Sequence, residues 1–323
     1  MAALRSLSRS ILSSALVPLL ALSLGAGCDT AEPPAETEPD PQEQAPTRPE
    51  GVKLCYTDLS ENHAATKAFR AALGAGDKAA RAQVIEQLDA AAKENPEEEQ
   101  LALYLALAHL WRVAEPLPED EAVFLQSALG ARDGLQKAYE LCPTDYRIPA
   151  WLGPVLVNMG RALNNQEIVD EGLAILQEGI DHYPAFVLFS KLLVYANEPA
   201  DSPDFQNALD AVYENADYCT GEDGELINDP ACQNGEAVYH NLEGSMVFLG
   251  DVFAKAGRKA DALDFYGQAK ASDDYATWDF QELLTDRMDT LDARITAYGT
   301  PDIEDDPEAA WNAAYQCAVC HSE

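Results

Sequence analysis

The sequence has few positive charges. Its 21 lysine and arginine residues stand against 56 aspartates and glutamates, which gives a formal net charge of −35 at pH 7. A chain of this charge repels phosphate backbones and anionic lipid headgroups, which argues against nucleic acid or an anionic membrane surface as a partner of the folded body. Most of the charge is expected on a solvated acidic surface, which favours encounters with basic proteins.

Catalytic signatures are also missing. The sequence contains no G-x-S-x-G, no H-E-x-x-H and no phosphate-binding glycine loop, and its five histidines are widely scattered. Carboxylates are so abundant that no pair stands out as a general acid and base. These absences leave no catalytic residue to name and favour a binding or electron-transfer protein over an enzyme.

Runs typical of β-strands are absent as well. From residue 53 onward the chain is rich in Ala, Leu, Glu and Asp, and glycine and proline divide segments of helical spacing. The sequence therefore predicts an all-α fold. The predicted breaks between helices are at Gly74, Gly76, Pro96, Pro143, Pro184 and Pro301.

Three of these breaks repeat one pattern. Ala91, Ala138 and Gly179 each stand five residues before a proline, and a leucine precedes each of them by three residues. A further stretch has its small and aromatic residues at Leu249, Gly250, Phe253, Gly257, Ala262, Tyr266 and Ala269. Both features resemble the tetratricopeptide repeat (TPR), a pair of antiparallel helices whose small residues permit close packing.

The resemblance implies a TPR-like α-solenoid of four or five antiparallel helix pairs over residues 53–299. Such stacks present a concave surface and mostly bind other proteins. The prolines at 96, 143 and 184 lie 47 and 41 residues apart, which is longer than the standard repeat, and Asp274 replaces the last expected proline. A generic helical bundle is the alternative.

Residues 1–27 form a predicted export signal. Two arginines precede an apolar run over residues 11–24, and small residues lead to Cys28. The pattern resembles the signal of bacterial lipoproteins, which implies lipidation of Cys28. Ordinary signal-peptidase cleavage is the alternative, because Gly25 occupies the usual leucine position. We expect a lipid-anchored protein of the bacterial cell envelope that faces the periplasm, with the choice of inner or outer membrane left open.

Residues 28–52 are predicted to be a disordered tether. They are rich in Pro, Glu, Asp, Thr and Gln and almost free of large apolar residues. Such a segment cannot bury a core, and its charge and prolines keep it extended. Its expected role is to give the body reach from the membrane.

Near its C-terminus the chain carries Cys317-Ala318-Val319-Cys320-His321. On a helix, thiols three residues apart share a face, so both can bond the vinyl groups of one haem while the adjacent imidazole reaches the iron. The motif resembles the first helix of small cytochromes c. The resemblance implies one haem c anchored by Cys317 and Cys320, with His321 as the proximal iron ligand. Residues 300–323 are predicted to hold this helix, with Asp306 as its cap and Pro307 in its first turn.

Several features of this site stay open. Only two residues follow the motif, so the haem has to be covered by the preceding chain, a partner or solvent. The two thiols could instead form a disulfide or redox pair, or hold a metal with distant ligands. Candidate distal ligands are His63, His109, His182, His240, Met159, Met246 and Met288.

Four other cysteines belong to the body. Cys219 and Cys232 bracket an acidic loop, and in an oxidising compartment they are predicted to close it as a disulfide. Cys55 and Cys142 are a second candidate pair. The acidic loop is an alternative calcium site, although its carboxylates do not follow the EF-hand order. Those carboxylates are Glu222, Asp223, Glu225 and Asp229.

Three functions fit these features. The favoured one is a membrane-tethered TPR-like scaffold of the envelope that carries one haem c for electron transfer with a partner protein. The second is the same scaffold without haem, which organises an envelope or transport complex and uses the C-x-x-C thiols as a disulfide or redox pair. The third is a haem-dependent enzyme or sensor with an open iron site.

Overall fold

The computed structural model describes residues 48–114, 123–221, 227–232, 241–299 and 306–310. Regular structure in these ranges is helical, with no strand among them, which confirms the predicted all-α fold. The predicted signal, Cys28, nearly all of the tether and the C-x-x-C-H motif lie outside the described residues. None of the described helices combines the length and apolar character needed to cross a bilayer.

Thirteen α-helices lie in the described ranges. They are α1 (Asp58–Asn62), α2 (Ala64–Gly74), α3 (Arg81–Glu94), α4 (Glu99–Ala114), α5 (Phe124–Leu141), α6 (Ile148–Ala162), α7 (Gln166–His182), α8 (Pro184–Tyr195), α9 (Pro203–Cys219), α10 (Asn241–Lys255), α11 (Lys259–Ala271), α12 (Gln281–Asp289) and α13 (Leu291–Tyr298). Single 3₁₀ turns occupy Lys78–Ala80 and Tyr275–Thr277.

Consecutive helices pack against one another along the chain. The most extensive contacts join α4 to α5, α6 to α7, α8 to α9 and α10 to α11. Four clusters of buried apolar side chains lie in the same order along the chain. They are formed by helices α2–α4, α4–α6, α6–α9 and α8–α13, respectively. Helices that bury their apolar faces mainly against near neighbours form a solenoid-like stack.

The three repeated breaks end three helices in the same way. Ala91, Ala138 and Gly179 are buried in α3, α5 and α7, and the carbonyl of each accepts the backbone N–H four residues later. Each helix then ends two residues before its proline. Proline has no N–H and disfavours helical geometry in the residue before it, so the chain turns there into the next helix.

A glycine allows helices α10 and α11 to pack closely against each other. A Cβ built on Gly250 would overlap Cε1 of Tyr266. The Tyr266 ring is fully buried, and its hydroxyl donates a hydrogen bond to Asp251 over 2.6 Å, so the ring cannot swing away. The predicted signature residues Gly250 and Tyr266 thus face each other within one helix pair.

Replacing Gly250 with alanine should lower the free energy of unfolding by about 1–3 kcal/mol, because overpacking outweighs the gain in helix propensity. Gly267 of α11 supplies a matched control, since a Cβ there meets nothing within 4 Å. Gly267→Ala should stabilise the protein by up to about 1 kcal/mol. Urea unfolding of both variants measures the difference, and effects of the same sign and size would contradict the predicted contact.

Candidate functional site

The segment 306–310 is the part of the described chain that lies nearest in sequence to the C-x-x-C-H motif. We call these five residues the C-terminal anchor. Ala309 and Ala310 are 0% and 1% exposed and belong to the apolar cluster formed by α8–α13. The chain is therefore fixed on the helical body seven residues before Cys317.

Asp251 of α10 is the centre of the contacts that hold the anchor. Its Oδ2 accepts the backbone N–H of Ala310 over 2.8 Å. Its Oδ1 accepts the Tyr266 hydroxyl over 2.6 Å and lies 3.3 Å from both Arg287 Nε and Arg294 Nη2. One fully buried carboxylate thereby joins α10, α11, α12, α13 and the anchor.

Arginine and tyrosine side chains of α13 bind the anchor backbone. Arg294 Nη2 donates to the carbonyl of Glu308 over 2.7 Å and to the Tyr298 hydroxyl over 3.1 Å. The Tyr298 hydroxyl in turn donates to the carbonyl of Pro307 over 3.3 Å. Three backbone groups of the anchor, the carbonyls of Pro307 and Glu308 and the N–H of Ala310, are thus hydrogen-bonded to side chains of the body.

A second ion pair closes the site. Lys255 Nζ lies 3.0 Å from Asp306 Oδ2, with the two side chains 2% and 10% exposed. The ammonium group also lies over the rings of Phe205 and Tyr298, at 5.6 and 6.0 Å from the ring centroids. A cation in this position is attracted to the aromatic faces as well as to the carboxylate.

Burial keeps the site's tyrosines in the neutral form. It raises the pKa of Tyr266 and of Tyr298 well above the usual value, and the nearby Asp251 carboxylate raises both further. A neutral hydroxyl can donate, as Tyr266 does to Asp251. The network therefore keeps its pattern of donors and acceptors across the physiological pH range.

The start of the predicted C-terminal helix differs from expectation. Residues 306–309 are not helical, although Asp306 and Pro307 form a typical helix start. Asp306 instead forms an ion pair with Lys255, and the N–H of Ala310 donates a hydrogen bond to Asp251. Tertiary ion pairs outweigh the local capping signal here. The predicted helix through Cys317, Cys320 and His321 lies outside the described residues.

Both candidate cysteine pairs of the body are disulfides. Cys219 is joined to Cys232, as the loop spacing predicts, with a Cα–Cα distance of 5.4 Å. Cys55 is joined to Cys142, with a Cα–Cα distance of 5.9 Å. Of the seven cysteines in the sequence, these bonds leave Cys28 and the two thiols of the C-x-x-C-H motif.

One carboxylate of the acidic loop, that of Asp229, is buried and accepts hydrogen bonds from the body and the loop. Asp229 is 3% exposed, and its Oδ1 accepts the Tyr183 hydroxyl over 3.2 Å and the N–H of Ala231 over 2.8 Å. Glu222, Asp223 and Glu225 lie outside the described residues. Within the ranges that the structure describes, no group of three or more His, Cys, Asp or Glu side chains could hold a metal ion.

Three of the histidines considered as distal ligands contact residues that are distant in sequence from the C-terminal anchor. His63 caps α2, its Nδ1 accepting the N–H of Ala65 over 3.2 Å. His182 stacks on Tyr146 at 4.1 Å between ring centroids. His109 lies between α4 and α5, where burial lowers its pKa.

The methionine candidates are placed differently. Met246 and Met288 pack against the apolar cluster that contains the C-terminal anchor. Met159 belongs to α6, two helix pairs earlier, and His240 lies outside the described residues. The structure thus places two of the seven candidates, Met246 and Met288, against the cluster that also contains Ala309 and Ala310.

Comparison of the chain with protein-family models, with curated proteins and with solved structures gives no match. The resemblances to tetratricopeptide repeats and to cytochromes c therefore rest on the sequence motifs themselves. What the structure defines is the class: an all-α, solenoid-like protein with two disulfides, in which a buried polar network holds residues 306–310.

Proposed function

We propose that the protein is a membrane-tethered scaffold of the bacterial cell envelope that carries one covalent haem c and exchanges electrons with a partner protein. The observation that carries the proposal is the use of the cysteines. Four of them are consumed in two disulfides of the body, so the thiols of Cys317 and Cys320 have no cysteine of the body to pair with.

The disulfides also support the proposed location. Disulfide bonds form and persist in oxidising compartments, among them the bacterial periplasm. Two of them in one helical body fit the predicted export signal and the predicted lipid attachment at Cys28. The C-x-x-C-H motif is the sequence signature of covalent haem c attachment.

The anchor limits where the motif can lie. Seven residues separate Ala310 from Cys317, and a chain of this length spans at most about 25 Å even when fully extended. In this proposal the haem is bound within that distance of α10–α13, whose side chains hold the anchor. In this proposal those helices cover one side of the haem.

Each part of the chain has a role in this proposal. Cys317 and Cys320 hold the haem through thioether bonds, and His321 ligates its iron, which supplies reversible one-electron chemistry when bound. The helical stack selects the partner protein. Its acidic surface steers a basic partner towards it, and the tether on the Cys28 lipid keeps it at the membrane.

Haem staining after denaturing electrophoresis, together with a reduced-minus-oxidised visible spectrum, tests the proposal. The protein is exported in a host that matures haem c, beside a Cys317→Ala/Cys320→Ala variant. We expect haem that stays with the wild-type band and is lost completely from the variant. Cys219→Ala/Cys232→Ala is the matched control, since it removes two disulfide-bonded cysteines of the body and should keep the haem.

A colourless wild-type protein, under conditions that mature a known cytochrome c, would contradict the proposal. The haem-free scaffold would then be favoured, with Cys317 and Cys320 as a disulfide or redox pair, and thiol titration of the native protein would distinguish those two states.

A further inference from the structure

An N-terminal strap, residues 52–57, lies across the body where the predicted tether meets it. The Lys53 N–H donates to the carbonyl of Thr144 over 3.0 Å, and the Thr144 hydroxyl donates to the carbonyl of Lys53 over 3.0 Å. The disulfide between Cys55 and Cys142 adds a covalent link beside these bonds. The strap is therefore attached to the turn between α5 and α6.

The strap's aromatic residue rests on a buried ion pair. Arg147 donates two hydrogen bonds to Asp145, of 2.9 and 2.8 Å. The same guanidinium donates to the Tyr56 hydroxyl and lies 5.2 Å from the centroid of its ring. The Thr57 hydroxyl donates to Glu98 over 2.5 Å. Contacts of the strap thus converge on the beginning of α4 and the residues before α6.

Glu99, the first residue of α4, is buried beside this ion pair. It is 2% exposed, and neither carboxylate oxygen has a hydrogen-bond partner among the described residues. The adjacent Gln100 is 0% exposed, and its Oε1 also lacks a partner within those ranges. A buried acceptor without a donor is costly, and an ionised carboxylate in that state costs far more than a neutral one.

The surrounding charges do not favour an anion at Glu99. Asp145 repels a negative charge there, and Arg147, the opposing cation, is already paired with Asp145 on two hydrogen bonds. Two more pairs of polar side chains surround these groups. The first is Tyr56 of the strap and Glu98 before α4. The second is Tyr104 of α4 and Arg70 of α2, in which Arg70 donates to the Tyr104 hydroxyl.

We propose that Glu99 is a proton-dependent latch for the hydrogen bonds of the N-terminal strap, which hold while the carboxyl is protonated and open as it ionises, with the Cys55–Cys142 disulfide intact. A neutral Glu99 does not compete for Arg147, whose guanidinium then donates to both Asp145 and Tyr56. An ionised Glu99 competes for the same guanidinium and draws water into the cluster. The strap then loosens between Lys53 and Thr57, where the tether joins the body.

Linkage gives the sign and the pH range of the effect. Burial first, and Asp145 second, raise the pKa of Glu99 from 4.5 to about 8, while Arg147 opposes them. The closed strap therefore holds a proton that the open strap releases, and opening becomes more favourable as pH rises between these two values. Above about pH 8 Glu99 is ionised in both states, so the dependence levels off.

Deuterium exchange at the Lys53 amide tests the latch in the full chain, because that amide donates a backbone hydrogen bond from the strap to Thr144 of the body. Intrinsic exchange chemistry is the same in the wild type and in Glu99→Gln, so the ratio of their rates cancels it. We expect this ratio to rise by about tenfold per pH unit between pH 5 and 7 and to become constant above pH 8.

Two comparisons complete the test. Glu97→Gln, an exposed residue two positions earlier, should follow the wild type at every pH. Within the wild-type protein alone, exchange at Lys53 relative to Ile227, whose amide donates to Cys219 in the other disulfide loop, should rise over the same range after correction for intrinsic rates. A wild-type to Glu99→Gln ratio that does not change with pH, or a flat Lys53 to Ile227 ratio, would overturn the proposal.

Discussion

Replacing Asp251 with alanine should lower the free energy of unfolding by about 3–5 kcal/mol. The substitution removes the carboxylate beside Arg287 and Arg294, whose side chains are only 3% and 8% exposed. Removing one partner of a buried ion pair costs this much because the remaining charge stays out of water without its counter-ion. The Tyr266 hydroxyl and the Ala310 N–H lose their acceptor as well.

Asp292→Ala is the matched control for this prediction. Asp292 pairs with Lys259 at 2.6 Å, but the two side chains are 78% and 50% exposed. Pairs in such surroundings contribute less than about 1 kcal/mol. Urea unfolding followed by circular dichroism compares the two variants, and a loss below about 1 kcal/mol in Asp251→Ala would show that Asp251 does not hold the network together.

The same substitution should also release the C-terminal anchor locally. The Ala310 amide donates to Asp251 in the native protein, so its hydrogen exchange should be faster in Asp251→Ala than in Asp292→Ala. Faster exchange confined to the anchor and α13 would indicate that Asp251 positions the segment leading to Cys317. Equal exchange in both variants would contradict that role.

The helical fold could be predicted because its signals are local. Small residues five positions before a proline mark where α3, α5 and α7 end, and each of those helix ends uses the same backbone hydrogen bond. Cys219 and Cys232 are only 13 residues apart, so their pairing could be predicted from the loop that they bracket. Cys55 and Cys142 are 87 residues apart, and spacing alone could not decide their pairing.

The anchor network could not be predicted, because it depends on contacts between distant elements. Asp251 meets Arg294 and Ala310 only once α10, α13 and the C-terminal segment have packed together. The sequence does hold one signal: Asp251 and Lys255 are the charged residues of α10 that interrupt the apolar run after Ser245. Buried charges in such a run need partners, although the sequence does not say which.

Removing the disulfide between Cys55 and Cys142 should lower the free energy of unfolding by about 4–5 kcal/mol, and removing the one between Cys219 and Cys232 by about 3 kcal/mol. The first bond closes 87 residues of chain and the second 13. A disulfide that closes a longer loop removes more conformational freedom from the unfolded chain. Removing that disulfide therefore stabilises the unfolded state more.

Double alanine variants are required for the comparison, because a single substitution leaves an unpaired thiol that can form a wrong disulfide. Alanine suits Cys142 in particular, since its side chain is fully buried and a polar replacement would lose its solvation. Urea unfolding of Cys55→Ala/Cys142→Ala and Cys219→Ala/Cys232→Ala measures both effects. If the shorter loop proves the more stabilising, loop entropy does not dominate, and local packing of Asp229 and Tyr183 around the second disulfide has to supply the difference.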